Sequence, residues 1–129
     1  RGWYGLIHST RLQVGDIVLA ELPSDAAKLA NRRGYLPRGI PILKRIGAVG
    51  GQHVCVHRHQ LVIDGRAAVR TLAVDASGRP LDAWPGCRRL RDDELLLLNP
   101  AVAASFDSRY FGPVPIEAVH GRAIPLLTW

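Results

Sequence analysis

Lys28 and Lys44 are the only lysines among 17 basic residues, so the chain carries just two side chains that can act as a neutral amine. Lys44 lies in Ile42-Leu43-Lys44-Arg45-Ile46, an apolar segment with the look of a strand. Alternation along a strand puts Lys44 on one face with Ile42 and Ile46, and Arg45 on the other with Leu43. Apolar surroundings strip solvation from the charged form and lower an amine's pKa. Such a lysine can serve as a general base near neutral pH. The plainer alternative is an edge-strand lysine that discourages aggregation. A second cluster, Ser105-Phe106-Asp107-Ser108-Arg109-Tyr110-Phe111-Gly112, packs polar groups between small and aromatic residues. Asp107 and Arg109 can pair or can each grip backbone groups, and Ser105 can hydrogen-bond an amine. The plainer alternative there is a well-satisfied polar loop.

The elements that must hold these groups are short and broken by frequent turn residues, the rhythm of an all-β domain. Strands are expected at 3–8, 17–22, 41–49, 53–57, 61–63, 67–74, 94–99 and about 119–127. Asp64-Gly65 makes a tight hairpin between the fifth and sixth of these, and residues 76–80 make another turn. One helix is expected at 24–33. Ser24 can cap it, Asp25 and the Arg32-Arg33 pair suit its dipole, and Gly34 suits the left-handed position after it. The fold class is therefore mainly β, a compact antiparallel sheet or barrel-like core in one soluble domain with one short helix.

Composition narrows the options. A 47% hydrophobic and 22% charged chain falls near the globular average, which excludes disorder and a membrane-only protein. The net charge of +6 suggests a nucleic-acid-binding module. Few aromatics and no basic aromatic stripe argue against that, so no specific nucleic acid is expected. His53, His57 and His59 share a face by alternation and can touch a metal, but no fourth ligand is evident, and no metal or cofactor is expected. Arg88, Arg89 and Arg91 read as a solvated basic face, and Trp3, Trp84 and Trp129 as exposed rings suited to an interface. Cys55 and Cys87 are too far apart for a C-x-x-C metal or redox site. They are either a disulfide, worth about 3–4 kcal/mol by chain entropy, or two buried thiols.

Three ordered segments together carry a resemblance. They are Val14-Gly15-Asp16-Ile17-Val18, then Leu43-Lys44-Arg45-Ile46 with Gly50-Gly51, and then the Ser105–Gly112 box. This set resembles the bacterial type I signal peptidase family, over nearly the whole chain. Arg33-Gly34-Tyr35-Leu36-Pro37 and Trp84-Pro85-Gly86-Cys87 draw it toward the TraF-like peptidases of conjugative transfer. The resemblance implies a Ser/Lys dyad on a mostly β scaffold. Lys44 would be the general base, Ser105 would orient it, and Asp107 and Arg109 would support the site, with Asp107 close to the lysine. It also implies that Cys55 and Cys87 are joined, which suits an oxidising compartment.

The family's nucleophile sits in an S-x-P motif just before the first strand, and this chain starts at Arg1 without a methionine. The serine is expected upstream, together with a membrane anchor, leaving these 129 residues inactive by themselves. Ser9 is the one candidate within the chain, although it has no S-x-P context. The turn Gly50-Gly51-Gln52 departs from the family's usual Gly-Asp.

The expected protein is a serine endopeptidase tethered to the bacterial inner membrane, with its catalytic domain on the periplasmic side. It would process, and in the conjugative branch cyclise, a secreted or pilin subunit bound as an extended strand. The other reading is a non-catalytic scaffold of a secretion or conjugation apparatus with the same fold.

Overall fold

The run Leu95-Leu96-Leu97-Leu98 explains why the chain forms two apolar cores. Successive side chains of a strand point to opposite faces, so four consecutive leucines demand cover on both sides. In the computed structural model, which describes residues 2–7, 11–37 and 39–128, that cover is supplied. Leu95 and Leu97 pack with Val18, Ala20, Ile46 and Val114. Leu96 and Leu98 pack with Ala48, Val54, Leu61 and Leu90.

In chain order the strands are β1 (Gly2–Ile7), β2 (Ile17–Ala20), β3 (Ile42–Val49), β4 (His53–His57), β5 (Gln60–Ile63), β6 (Arg66–Arg70), β7 (Cys87–Arg89), β8 (Glu94–Leu98), β9 (Val114–Pro115) and β10 (Val119–Thr128). They pair antiparallel in two sheets, ordered β1-β10-β2-β3-β8-β9 and β6-β5-β4-β7. The strand β3 serves both cores, with Ile46 in one and Ala48 in the other. Its register shifts between those two residues, where Gly47 lets the Leu98 side chain approach.

The mainly β expectation holds, with local differences. The helix α1 spans Ser24–Arg32, with Asp25 in its first turn and Arg32 in its last. Ser24 does not cap it. Pro23 occupies the cap position, so Ser24 is the first helical residue and its side chain makes no capping bond. Gly34 takes the expected left-handed conformation, with φ of 74°. A second helix, α2 (Ser108–Phe111), is a single turn inside the polar box. The sixth strand ends at Arg70 rather than 74, because residues 71–86 leave both sheets and make only an isolated bridge, Val74 to Pro80. The strands β7 and β9 have only three and two residues, too short to show an apolar period.

Two surface readings change. His59 falls in the turn after β4, in a positive-φ pair with Arg58, so the three histidines do not share a strand face. No group of three metal-binding side chains gathers among the described residues. Arg88 keeps 40% of its side chain exposed, as a solvated face requires, but it is also paired. It grips both Glu94 carboxylate oxygens at 2.7 and 2.8 Å and lies over the Trp84 ring. Trp84 itself is half-buried against the second core, so it is no exposed interface ring. Trp129 lies outside the described residues.

Cys55 and Cys87 face each other across β4 and β7 and form the disulfide. It staples β7 to β4, its neighbour in the sheet. No helix among the described residues is long and apolar enough to cross a membrane.

Candidate active site

Lys44 reaches its place through strand pairing. It lies opposite Val18 in the β2–β3 ladder, between buried Ile42 and Ile46, while Leu43 and Arg45 are exposed. This is the alternation expected from the sequence. The amine Nζ donates to Ser105 Oγ at 2.5 Å. Burial disfavours the ammonium and holds its pKa below the usual lysine value. The Asp107 carboxylate works against that shift and the Arg109 guanidinium adds to it. Lys28, by contrast, is exposed on α1.

The Ser105–Gly112 box is a folded unit in which each polar group has a fixed partner. The Asp107 side chain caps α2 by accepting from Arg109 N at 3.0 Å, and its other oxygen accepts from Asn99 N at 2.9 Å. Arg109 is 1% exposed. It donates twice to Asp107, from Nε and Nη2, each at 2.9 Å. Its remaining donors take the carbonyls of Arg70, Ala103, Asn99 and Val102. Both of the alternatives left open by the sequence are therefore realised at once, pairing and backbone grip. Ser108 Oγ accepts from Leu97 N at 2.9 Å, which ties the box to β8. Tyr110 Oη accepts from Leu72 N at 3.0 Å.

The box ends at Gly112 for a steric reason. Its φ is 78°, and a Cβ there would lie 2.6 Å from the Trp84 ring. Only glycine fits both conditions.

Lys44 opens onto a cleft of about 360 Å³ lined by Tyr35, Leu36, Pro41, Leu43, Ser105 and Phe106 among others. The strand β8 joins β3 only from Arg45 onward, so among the described residues Ile42–Lys44 pairs on one side alone, with β2. A strand with one unpaired edge beside a cleft suits an extended chain. A larger cavity of about 500 Å³ lies between α1 and α2, but neither Lys44 nor Ser105 lines it. Ser9 lies outside the described residues. Asp75, whose carboxylate is tied to Tyr35 and Arg79, was not foreseen from the sequence. Its one signal was the Asp75-Ala76-Ser77-Gly78 turn pattern, which many surface loops share.

A half-buried lysine amine bonded to a serine hydroxyl, on an antiparallel β scaffold, suits hydrolase chemistry of the serine–lysine kind. Residues 2–129 match the family described as signal peptidase, peptidase S26, and the chain belongs to it. It is 36% identical over 125 residues to the conjugal transfer protein TraF of Agrobacterium tumefaciens (strain 15955), covering 90% of this chain and 69% of that protein. It is 31% identical over 109 residues to the plasmid transfer protein TraF of Escherichia coli, covering 78% of this chain and 62% of that one. The fold is similar to that of a signal peptidase I from Enterococcus faecalis V583, with a TM-score of 0.50 at 20% identity, over 92% of this chain and 98% of the other.

Proposed function

We propose that the protein is a serine endopeptidase in which Lys44 is the general base. The observation that carries this reading is the half-buried Lys44 amine, held by Ser105 at the floor of a cleft next to an unpaired strand edge. Membership of the signal peptidase family supports it. In this reading the nucleophile is a serine that precedes Arg1 and reaches the open side of Nζ. Neutral Lys44 takes the hydroxyl proton as Oγ bonds to the scissile carbonyl carbon. The proton then passes to the leaving amine as the C–N bond breaks. Ser105 fixes the rotamer of Lys44, while Asp107 and Arg109 keep the box in shape.

The substrate is a polypeptide of a secreted or pilin subunit, laid along Ile42–Lys44 as an added strand. The conjugal-transfer names of the relatives support a role in conjugation. Water, or the substrate's own amine, resolves the acyl-enzyme. The second route gives a cyclic product with no net uptake of water. The Cys55–Cys87 disulfide favours an oxidising, periplasmic setting for this domain, tethered to the inner membrane.

The test is to mix the full-length protein, in membranes, with pro-pilin from the same transfer system. The expected result is cleavage at one bond, and mass spectrometry separates a linear product from a cyclic one by the mass of one water. Assembly of the transfer apparatus without any cleavage would favour the scaffold instead.

A further inference from the structure

Residues 71–86 leave both sheets between β6 and β7, yet they are tied firmly to the cleft. Asp75 is the centre of the ties, with its side chain 5% exposed. One carboxylate oxygen accepts from Tyr35 Oη at 2.7 Å and from Arg79 Nε at 2.9 Å, and faces Arg33 Nη1 at 3.5 Å. The other accepts from the backbone N–H groups of Ser77 and Arg79, both at 2.9 Å. Arg33 also donates to Pro80 O at 2.7 Å, and Arg79 donates back to Arg33 O at 3.2 Å. Desolvation alone would raise the Asp75 carboxyl, but hydrogen bonds from Tyr35, Arg79 and Ser77 outweigh it and hold the pKa at about 2. Asp75 is therefore ionised, and the network intact, at any pH where a lysine base could work.

The consequence reaches the amine through aromatic packing. With its hydroxyl anchored, the Tyr35 ring lies 5.2 Å from the Phe106 ring. Phe106 is also held by Tyr110 at 5.9 Å and by the edge of Phe111 at 5.5 Å. It directly follows Ser105, the hydrogen-bond partner of Lys44. Tyr35, Leu36, Phe106 and Lys44 all line one cleft. A second tie, Leu72 N to Tyr110 Oη, braces the box from the same excursion.

We propose that Asp75 and Tyr35 form a positioning clamp that presses the Phe106 wall onto the cleft and so keeps Ser105 in register with Lys44. Neither residue touches the reacting atoms. Hydrogen bonds weaken steeply with misalignment, so a Tyr35 ring released from Asp75 would loosen the serine and admit water to the amine. The proposal rests on Lys44 as the base only for its effect on processing. Its effect on the amine itself does not depend on that reading.

The scarcity of lysine in these 129 residues offers a direct test. In the full-length protein labelled with ¹³C at lysine Cε, the Lys44 and Lys28 titration curves are followed by NMR, each assigned by its loss in Lys44→Met or Lys28→Met. Asp107 and Arg109, the charged groups that act on the Lys44 amine, are left intact in every variant. Tyr35→Phe, which keeps the ring and removes only the hydroxyl, should move the Lys44 titration toward the ordinary lysine range by about half a pH unit or more, leaving Lys28 unmoved. Asp75→Asn should do the same, and the double variant should go no further than the larger single effect. Processing should fall about tenfold in kcat/KM, as expected for small misplacement at a reacting centre. If Asp75→Asn does not fold, Tyr35→Phe decides alone. An unmoved Lys44 titration in folded Tyr35→Phe overturns the clamp, whatever the processing rate. If Lys44→Met were to keep processing, the base assignment would fall while the titration still decided the clamp.

Discussion

Lys44→Met should abolish processing and leave the fold standing. Methionine keeps an unbranched stem of similar length between Ile42 and Ile46 but cannot accept a proton. General-base assistance is worth roughly 10²–10⁴ in rate, and in the proposed mechanism the same group also returns the proton to the leaving amine. A loss of about 10³-fold or more in single-turnover cleavage is therefore expected. Stability should stay level or rise slightly, because holding an ammonium out of water costs free energy. Unfolding of Lys44→Met and Lys28→Met beside the parent protein provides the control. Lys28 is exposed, so its replacement should change neither quantity. Cleavage at the parent rate by Lys44→Met would remove Lys44 from the mechanism.

Arg109→Met should give the largest loss of stability. It leaves the Asp107 carboxylate, which is 0% exposed, without its cation, and takes donors from four backbone carbonyls. Removing one partner of a buried pair costs roughly 3–5 kcal/mol. A domain of this kind has only about 5–15 kcal/mol in all. Denaturant unfolding of Arg109→Met should therefore show a midpoint far below that of the parent protein. Arg109→Lys should recover little, because an ammonium cannot fork to Asp107 and reach four carbonyls together. A loss below about 1 kcal/mol would mean that the box is held by packing rather than by this pair.

The legible parts of the fold were those set by local chemistry. The period of Ile42–Ile46 placed the Lys44 amine correctly, and Asp64-Gly65 formed the expected two-residue turn, with φ of 49° and 80°. The run Leu95–Leu98 announced a buried strand, but not that its two faces serve different cores. The Lys44–Ser105 contact joins residues far apart in sequence. No local pattern forces it: the segment shows only that Ser105 can bond an amine, and the family resemblance named Lys44 as that amine. The roles of Asp107 and Arg109 stayed open for a similar reason, since the carbonyls that Arg109 binds come from β6 and from the turn after β8. Ser24 shows how a good local signal loses, because Pro23, with its preset φ, takes the cap position just outside the helix. Asp75 was invisible because its partner Tyr35 lies on the loop after α1, and nothing in either segment names the other.

The central claim is that Lys44 works as a neutral base, and the pH dependence of single-turnover kcat/KM tests it most directly. Only the unprotonated amine accepts a proton, so the rate must rise with pH until Lys44 is neutral. Burial lowers that pKa below the ordinary value of 10.5, which moves the rise to lower pH. Stability should follow the same sign. Between the lowered folded pKa and 10.5 the unfolded chain binds more protons, so stability increases with pH across that window. One rising limb is expected, with an apparent pKa below the usual lysine range, matching the NMR titration of Lys44. A flat profile, or a limb that fails to follow that titration, would contradict it.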